Sequence, residues 1–105
     1  MNATEEIVLE RFKALLLGKL HVVHLILFGS RARGDAAPDS DMDIVVVLDQ
    51  RTSEAEEYVS DCAWEAGVDD GIVVCPIVYS VAEWEQSPLR YSSFVRTVQQ
   101  EGIYI

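Results

Sequence analysis

The sequence predicts a single α/β (α+β) domain at residues 1–105, a small mixed β-sheet packed with helices. Two observations favour this class. Segments with apolar residues at helical spacing alternate with short runs of β-branched and large apolar residues. The 105 residues, half of them hydrophobic, are also enough for one core and no more. Because we find no internal repeat, low-complexity tract or linker, we expect one compact unit.

The first predicted element is a helix over residues 3–17. Asn2 can cap it, and Glu5 lies three residues later, where a capping box needs it. Gly18 is a plausible end point. Four residues recur at helical spacing and predict one apolar face: Val8, Phe12, Leu15 and Leu16.

Two strands are predicted next, at residues 20–28 (LHVVHLILF) and 41–48 (DMDIVVVL). Both are nearly continuous apolar runs, which are typical of strands buried on both faces. The stretch between them, residues 30–40 (SRARGDAAPDS), is polar and contains Gly34 and Pro38. It predicts a short turn or one helical turn, followed by a loop.

A helix and a third strand follow. Ser53, with Glu56 three residues on, predicts a capping box for a helix that ends near Ala66. Its expected inner face is Val59, Cys62, Ala63 and Ala66. Residues 71–79 (GIVVCPIVY) predict the strand, and Pro76 within it indicates an edge strand or a bulge, because proline has no N–H to donate.

The last third of the chain predicts mainly helix. Ser80 and Glu83 form another capping-box pattern, for a short helical turn. Ser87 as cap and Pro88 as first helical residue predict the start of a final helix that Gly102 ends. Its expected inner face is Tyr91, Phe94, Val95 and Val98. Residues 103–105 can add a short strand.

Composition excludes several classes of function. Eighteen acidic residues stand against eight Lys and Arg, a formal net charge of −10, so no basic surface is expected for nucleic acid or for an anionic membrane. The apolar runs are far shorter than the ~20 residues that a membrane helix needs. The acidic N-terminus does not resemble a signal peptide, and two cysteines make no disulfide framework. We therefore expect a cytoplasmic protein.

A pair of carboxylates indicates a metal site. Asp41 and Asp43 stand two residues apart at the start of the second strand, which places both side chains on one face. Two such carboxylates can hold a hard divalent cation, and shared between two ions they can serve in-line phosphoryl transfer.

A glycine turn at the end of the neighbouring strand indicates phosphate binding. Gly29 allows close backbone approach, and the Ser30 hydroxyl and the following amides can donate to phosphate oxygens. Arg33, and less strongly Arg31, can contact phosphate or can pair with the acidic surface instead. A phosphate turn beside a metal pair predicts a site for a nucleoside triphosphate.

These residues match a family signature. Gly29-Ser30, ten intervening residues and Asp41-Met42-Asp43 reproduce the Gly-Ser-x10-Asp-x-Asp pattern of the DNA polymerase β-like nucleotidyltransferases. The surrounding GSRARG and SDMDIVVVL resemble the small stand-alone minimal nucleotidyltransferases in particular. The resemblance covers most of the chain and is sharpest over residues 25–49.

The resemblance implies the polymerase β-like fold and a reaction. In this family the Gly-Ser pair holds the triphosphate, and the two aspartates, here Asp41 and Asp43, hold one or two Mg²⁺ ions. A nucleoside monophosphate, commonly AMP from ATP, passes to a hydroxyl and pyrophosphate leaves. Many small members are antitoxins paired with a helical HEPN toxin, and some transfer AMP to a tyrosine of that partner.

One departure from the family concerns a third carboxylate, which helps to activate the attacking hydroxyl. The corresponding strand, residues 71–79, contains no acid, and Cys75, Pro76 and Ile77 stand near the expected place. Four acids could substitute: Asp69, Asp70, Asp35 and Asp39. Without a third acid, nucleotide and metal can still bind, but a positioned base is worth roughly 10²–10⁴-fold in rate.

Other residue types have ordinary structural interpretations. His21 and His24, three residues apart on a predicted strand, would point to opposite faces and not form a metal pair. The remaining candidates are expected to be packing residues: Cys62, Cys75, Trp64 and Trp84.

The sequence therefore predicts an Mg²⁺-dependent nucleotidyltransferase. So short a chain has little left to build an acceptor pocket, so we expect a partner macromolecule to present the acceptor. The negative charge favours a basic partner. One alternative is a catalytically weak module of the same fold that neutralises a partner by binding. Another is transfer to a small molecule such as an aminoglycoside, which the lack of a second domain disfavours.

Overall fold

One mixed sheet organises the domain in the computed structural model, which describes residues 1–105. Its strands are β1 (Val22–Phe28), β2 (Met42–Leu48), β3 (Val74–Ser80) and β4 (Ile103–Tyr104), in the order β3-β2-β1-β4. β1 runs antiparallel to both neighbours, and β2 runs parallel to β3. The predicted mixed sheet is thus confirmed.

Five helices cover the sheet on both faces: α1 (Ala3–Leu17), α2 (Ser30–Arg33), α3 (Ser53–Gly67), α4 (Val81–Glu85) and α5 (Ser93–Glu101). α1 and α3 bury the larger core on one face, and α4 and α5 bury the smaller core on the other. α3 is the crossover between the parallel strands β2 and β3, as parallel pairing requires. Two 3-10 turns, Val68–Asp70 and Pro88–Tyr91, complete the chain.

Two capping boxes form as predicted. In α1 the Asn2 Oδ1 atom accepts from the Glu5 N–H at 2.8 Å, and Glu5 Oε1 accepts from the Asn2 N–H at 2.9 Å. Ser80 and Glu83 make the same reciprocal pair at the start of α4. β3 is an edge strand, as Pro76 predicted.

Two predicted helix starts are wrong. α3 is capped by Thr52, whose Oγ1 accepts from the Ala55 N–H at 3.1 Å, so Ser53 is already inside the helix. The final helix begins at Ser93, capped by Ser92, because Ser92 is extended (φ −66°, ψ 149°) and separates it from the turn that Ser87 caps. Tyr91 ends up in that turn, exposed, instead of on the inner face of α5.

Two predicted strands are too long. β1 starts at Val22, and only its residues 25–27 are buried, because β4 pairs with Ile26 and Leu27 alone and leaves the first half of the strand uncovered. β3 starts at Val74, because the preceding 3-10 turn and the left-handed Gly71 (φ 66°) redirect the chain first.

Two of the four residues that the sequence predicts to be packing residues are buried. Trp84 and Cys62 are buried in the two cores. Trp64, by contrast, is 70% exposed on α3, and Cys75 is only half-buried. No helix of the fold has the length and apolar character needed to cross a membrane.

Candidate active site

A glycine turn joins β1 to α2. Gly29 has φ 77° and ψ −156°, a backbone conformation that is essentially restricted to glycine. No side chain caps α2, and the first amides of any helix lack an intrahelical acceptor. Gly34, at φ 82°, ends the helix one turn later. The Ser30 N–H and hydroxyl thus stand at an uncapped helix start.

The predicted carboxylates lie beside this turn. Asp43 faces Phe28 across the antiparallel pair and Cys75 across the parallel pair, and directly opposed side chains share a sheet face. Asp41, one residue before β2, accepts a hydrogen bond from Cys75 Sγ at 3.5 Å. Burial between these neighbours, together with the negative charge of Asp41, raises the pKa of Asp43 above its ordinary value.

The turn and the carboxylates touch. A Cβ atom placed on Gly29 would lie 2.7 Å from Oδ2 of Asp43, well inside van der Waals contact. The structure therefore brings together Gly29, Ser30, Asp41 and Asp43, the four fixed residues of the sequence signature. Only glycine satisfies both the backbone conformation and the space beside Asp43.

The carboxylate pair suits Mg²⁺. Neither Asp41 nor Asp43 forms an ion pair with a basic side chain, so their mutual repulsion has no protein counter-charge. No group of three or more His, Cys, Asp or Glu side chains is placed to hold one metal. Two carboxylates completed by substrate phosphate oxygens and water is a donor set that Mg²⁺ takes. An all-protein cage for another metal is not present.

None of the four candidate third acids joins the pair. Asp70 is bound to Arg11 on α1 at 3.0 Å, and Asp35 is bound to Arg33 at 3.4 Å. The two others, Asp69 in the 3-10 turn and Asp39 in the loop, are exposed, and neither belongs to a group of side chains that could hold a metal ion.

Cys75 occupies the place opposite Asp43 instead of a third carboxylate, and it is not the core residue that its apolar strand predicted. Burial and the charges of Asp41 and Asp43 raise the pKa of its thiol. The thiol is therefore neutral and donates to Asp41, so it does not serve as a base. The alternation of side chains along β3 predicts that Cys75 and Val74 point to opposite faces of the sheet. The register of β3 against β2, which puts Cys75 next to Asp43, cannot be read from the sequence.

Arg31 contacts the protein and not an open phosphate site. Its side chain is only about 4% exposed and binds Glu5 Oε2 at 2.9 Å. It also donates to the carbonyl oxygens of Pro38 at 3.1 Å and of Ser40 at 2.6 and 3.0 Å. Arg31 thus clamps the loop between the glycine turn and β2 onto α1. Arg33 is exposed, and its contact is the ion pair with Asp35.

The two histidines contact different acids at the other end of the sheet. His21 precedes β1 and lies 3.5 Å from Asp49. His24 lies 3.3 Å from Glu85 and packs edge-on against Tyr104.

The carboxylates lie on an open surface. None of the five cavities of the fold is lined by Asp41, Asp43, Gly29 or Ser30. On one side the surface is bordered by Phe28, whose ring stacks edge-to-face on Phe94 at 5.4 Å between centroids. A nucleotide or an acceptor would reach the carboxylates without passing a lid.

A mixed sheet that carries a glycine turn against paired carboxylates is the arrangement of a nucleotidyltransferase. The family model described as the nucleotidyltransferase domain matches residues 4–105, and the chain belongs to that family.

Individual relatives agree. A Methanocaldococcus jannaschii protein with the provisional name protein adenylyltransferase is 35% identical over 100 residues, which cover 93% of this chain and 94% of the relative. Among solved structures, a toxin–antitoxin with AMP-PNP superposes with a TM-score of 0.61 at 22% identity, over 90% of this chain and 69% of the other. A protein of Sulfolobus solfataricus provisionally named a nucleotidyltransferase gives 0.50 at 19% identity, over 99% and 86%. The two structures establish the fold.

Proposed function

We propose that this nucleotidyltransferase transfers AMP from ATP, with Mg²⁺, to a hydroxyl group of a partner protein, and that it is the antitoxin of a HEPN toxin–antitoxin pair. The observation that carries the proposal is the contact between the Gly29 turn and Asp43, with Asp41 alongside. That contact supports the assignment of the turn to the triphosphate and of the aspartates to Mg²⁺, because both groups could then act on one ligand.

Two comparisons support the choice of nucleotide and acceptor. The M. jannaschii relative is named for protein adenylylation. The toxin–antitoxin neighbour was solved with AMP-PNP, an ATP analogue. The HEPN class of the partner rests on the resemblance of the GSRARG and SDMDIVVVL segments to minimal nucleotidyltransferases.

The residues divide the work by position. The amide and hydroxyl of Ser30 donate to the triphosphate at the uncapped helix start, and Gly29 leaves room for it. Asp41 and Asp43 would hold Mg²⁺. When bound, Mg²⁺ neutralises charge on the triphosphate and on the departing pyrophosphate. Arg33, exposed beside the turn, can exchange Asp35 for a phosphate oxygen.

The acceptor hydroxyl attacks the α-phosphorus, and pyrophosphate leaves. The neutral thiol of Cys75 takes no proton from it, so the proton passes to water or to a group of the partner. The chain then contributes mainly positioning and charge neutralisation. The open surface at the carboxylates suits an acceptor carried by another protein.

A second candidate function is favoured by Cys75. A thiol in place of a third acid is compatible with a module that binds Mg²⁺-ATP and neutralises its partner by contact, with little turnover.

Label transfer separates the two candidates. Purified protein is incubated with Mg²⁺, α-labelled ATP and lysate of the source cells, beside Asp43→Ala and the matched control Asp49→Ala, which removes an exposed carboxylate at the far end of β2. We expect a labelled protein band with wild type and with Asp49→Ala, and none with Asp43→Ala. Bound Mg²⁺-ATP without any labelled band would favour the binding module. A band that persists in Asp43→Ala would refute the assigned site.

A further inference from the structure

Phe94, the second residue of α5, is an aromatic residue that neither core uses. The sequence predicts it for the inner face of the final helix with Val95 and Val98, but of these three only the two valines are buried. Phe94 is 37% exposed and belongs to neither cluster of buried side chains. Its contribution to the packing of the fold is therefore small.

One side chain separates Phe94 from the carboxylates. Phe28 lies directly opposite Asp43 across the β1–β2 pair, so both side chains occupy one face of the sheet. The Phe94 ring packs edge-to-face on the Phe28 ring, with 5.4 Å between centroids and 89° between planes. Further along this face, side chains of the sheet pack against α5 in the smaller core. The start of α5 therefore borders the candidate site.

The same two rings lie beside the phosphate turn. Gly29 directly follows Phe28, so a triphosphate on the Gly29 turn has the aromatic pair on its β1 side. The neighbour of Asp43 on the other side is Cys75 of β3, which has no ring. Next to Asp43, only the β1 side therefore offers an aromatic surface.

From this placement we propose that Phe94 stacks on the base of the bound ATP. The proposal rests on the proposed function. An exposed aromatic ring and a nucleobase stack through their flat faces, and every base has such a face. The contact involves the face of the base and not its edge groups. Phe94 therefore distinguishes a nucleotide from inorganic triphosphate, and not adenine from guanine.

The acceptor protein is a poorer occupant of this position. In-line displacement needs the attacking oxygen opposite the departing pyrophosphate. In the proposed site the Gly29 turn holds the pyrophosphate, and this turn is on the same side of Asp43 as Phe28. An acceptor hydroxyl would therefore approach the α-phosphorus from the side away from Phe94.

Calorimetric titration tests the contact without any transfer. With Mg²⁺ present, each variant is titrated with α,β-methylene-ATP, which cannot release pyrophosphate, and separately with inorganic tripolyphosphate, which has no base. Phe94→Leu keeps an apolar side chain against Phe28 but removes the ring. We expect it to bind the ATP analogue at least about fivefold more weakly than wild type, and tripolyphosphate within about twofold of wild type. Phe94→Tyr, which keeps the ring, should recover most of the lost affinity.

Tyr104→Leu is the matched control. Tyr104 is 53% exposed and packs edge-on against His24, with 5.5 Å between centroids, at the other end of the sheet. This variant should bind both probes like wild type. An equal loss for both probes in Phe94→Leu would show that Phe94 only supports the carboxylates. The same loss in Tyr104→Leu would show an effect of general destabilisation. Either result overturns the proposal.

Label transfer in lysate separates this proposal from the proposed function. If wild type binds the ATP analogue but labels no protein, transfer to a protein fails, while the titration still decides the base contact. If Phe94→Leu binds the analogue like wild type and yet loses the labelled band, Phe94 contacts the acceptor and the proposal is overturned. A wild type that binds neither probe would refute both.

Discussion

Replacing Gly29 by alanine tests the central contact of the site. The substitution adds one methyl group in a conformation that non-glycine residues avoid, and places it 2.7 Å from Oδ2 of Asp43. The substitution therefore has two effects, one on the backbone conformation at residue 29 and one on the position of the Asp43 carboxylate. The backbone conformation affects the stability of the fold, and the overlap displaces a carboxylate.

The size of each effect can be worked out. A non-glycine residue at this φ and ψ costs of order 1–3 kcal/mol, which lowers the melting temperature of a domain this size by roughly 4–8 °C per kcal/mol. Ordinary van der Waals contact begins at 3.4 Å, so the Asp43 oxygen must retreat by 3.4 − 2.7 = 0.7 Å. A misplacement of about 1 Å can cost 10²-fold in rate, so we expect Gly29→Ala to lose about 10–100-fold in AMP transfer.

Gly34→Ala is the matched control. Gly34 also has a positive φ, 82°, at the other end of α2, but nothing lies within 4 Å of an added Cβ. Its cost should be the left-handed backbone alone, roughly 1–2 kcal/mol. Thermal unfolding gives the stability of both variants, and label transfer at a temperature where both are folded gives their rates. If Gly29→Ala transfers AMP as fast as Gly34→Ala, the assigned contact between turn and carboxylate is not part of the site.

Three further predictions concern the clamp and the missing acid. Arg31→Met should lower the free energy of unfolding by about 3–5 kcal/mol in urea, because it leaves the Glu5 carboxylate buried without its partner. Burial raises the pKa of Glu5, but the Asn2 backbone hydrogen bond and Arg31 outweigh it and hold the pKa below its ordinary value. Glu5 therefore stabilises the fold above about pH 4.3, and this contribution is lost as the pH falls through the lower folded pKa. Cys75→Asp should raise transfer at least about tenfold, because it restores a third carboxylate opposite Asp43.

Each of the three has its own control. Arg31→Lys keeps the charge but cannot reach two carbonyl oxygens and Glu5 together, so a stability equal to wild type would contradict the clamp. In Glu5→Gln, the free energy of unfolding measured in urea should fall less steeply as the pH is lowered from about pH 6 to pH 3. An acid limb as steep as that of wild type would rule out Glu5 as its source. Cys75→Ser should transfer no faster than wild type, and an equal gain in both variants would show that loss of the thiol matters and not gain of the acid.

Much of the fold could be predicted because its signals are local. The capping boxes at Asn2 and Ser80 depend on side chains three residues apart, and the β2 strand is apolar throughout. The wrong starts of α3 and α5 have the same origin. Thr52 and Ser53 are adjacent and both are cap-forming residue types, while Ser87 caps the 3-10 turn and Ser92 caps α5. Only tertiary packing decides which of these residues starts a helix.

The site was predictable where the chain itself fixes the spacing. Gly29 and Asp43 meet because a short connection joins antiparallel neighbours, which brings the end of β1 to the start of β2. Cys75 and Trp64 were misjudged because their surroundings depend on long-range register. The crossover through α3 sets the register of β3, and so it decides which residue faces Asp43. It also decides which part of α3 the edge strand β3 leaves uncovered. Burial of Arg31 was hidden for the same reason, since its partner Glu5 lies in another element.

The clamp made by Arg31 gives a physical meaning to the ten residues between Ser30 and Asp41. Its guanidinium donates to the carbonyl oxygens of Pro38 and Ser40, while its own backbone belongs to α2. These hydrogen bonds can form only if the connecting loop has the right length. A loop one residue longer or shorter would place different carbonyl groups beside the Arg31 guanidinium. We therefore expect the loop to tolerate changes of side chain at the exposed Ala37 or Asp39 far better than changes of length. What this loop must keep is its length along the backbone, which is fixed by a buried residue whose contacts all lie within the chain.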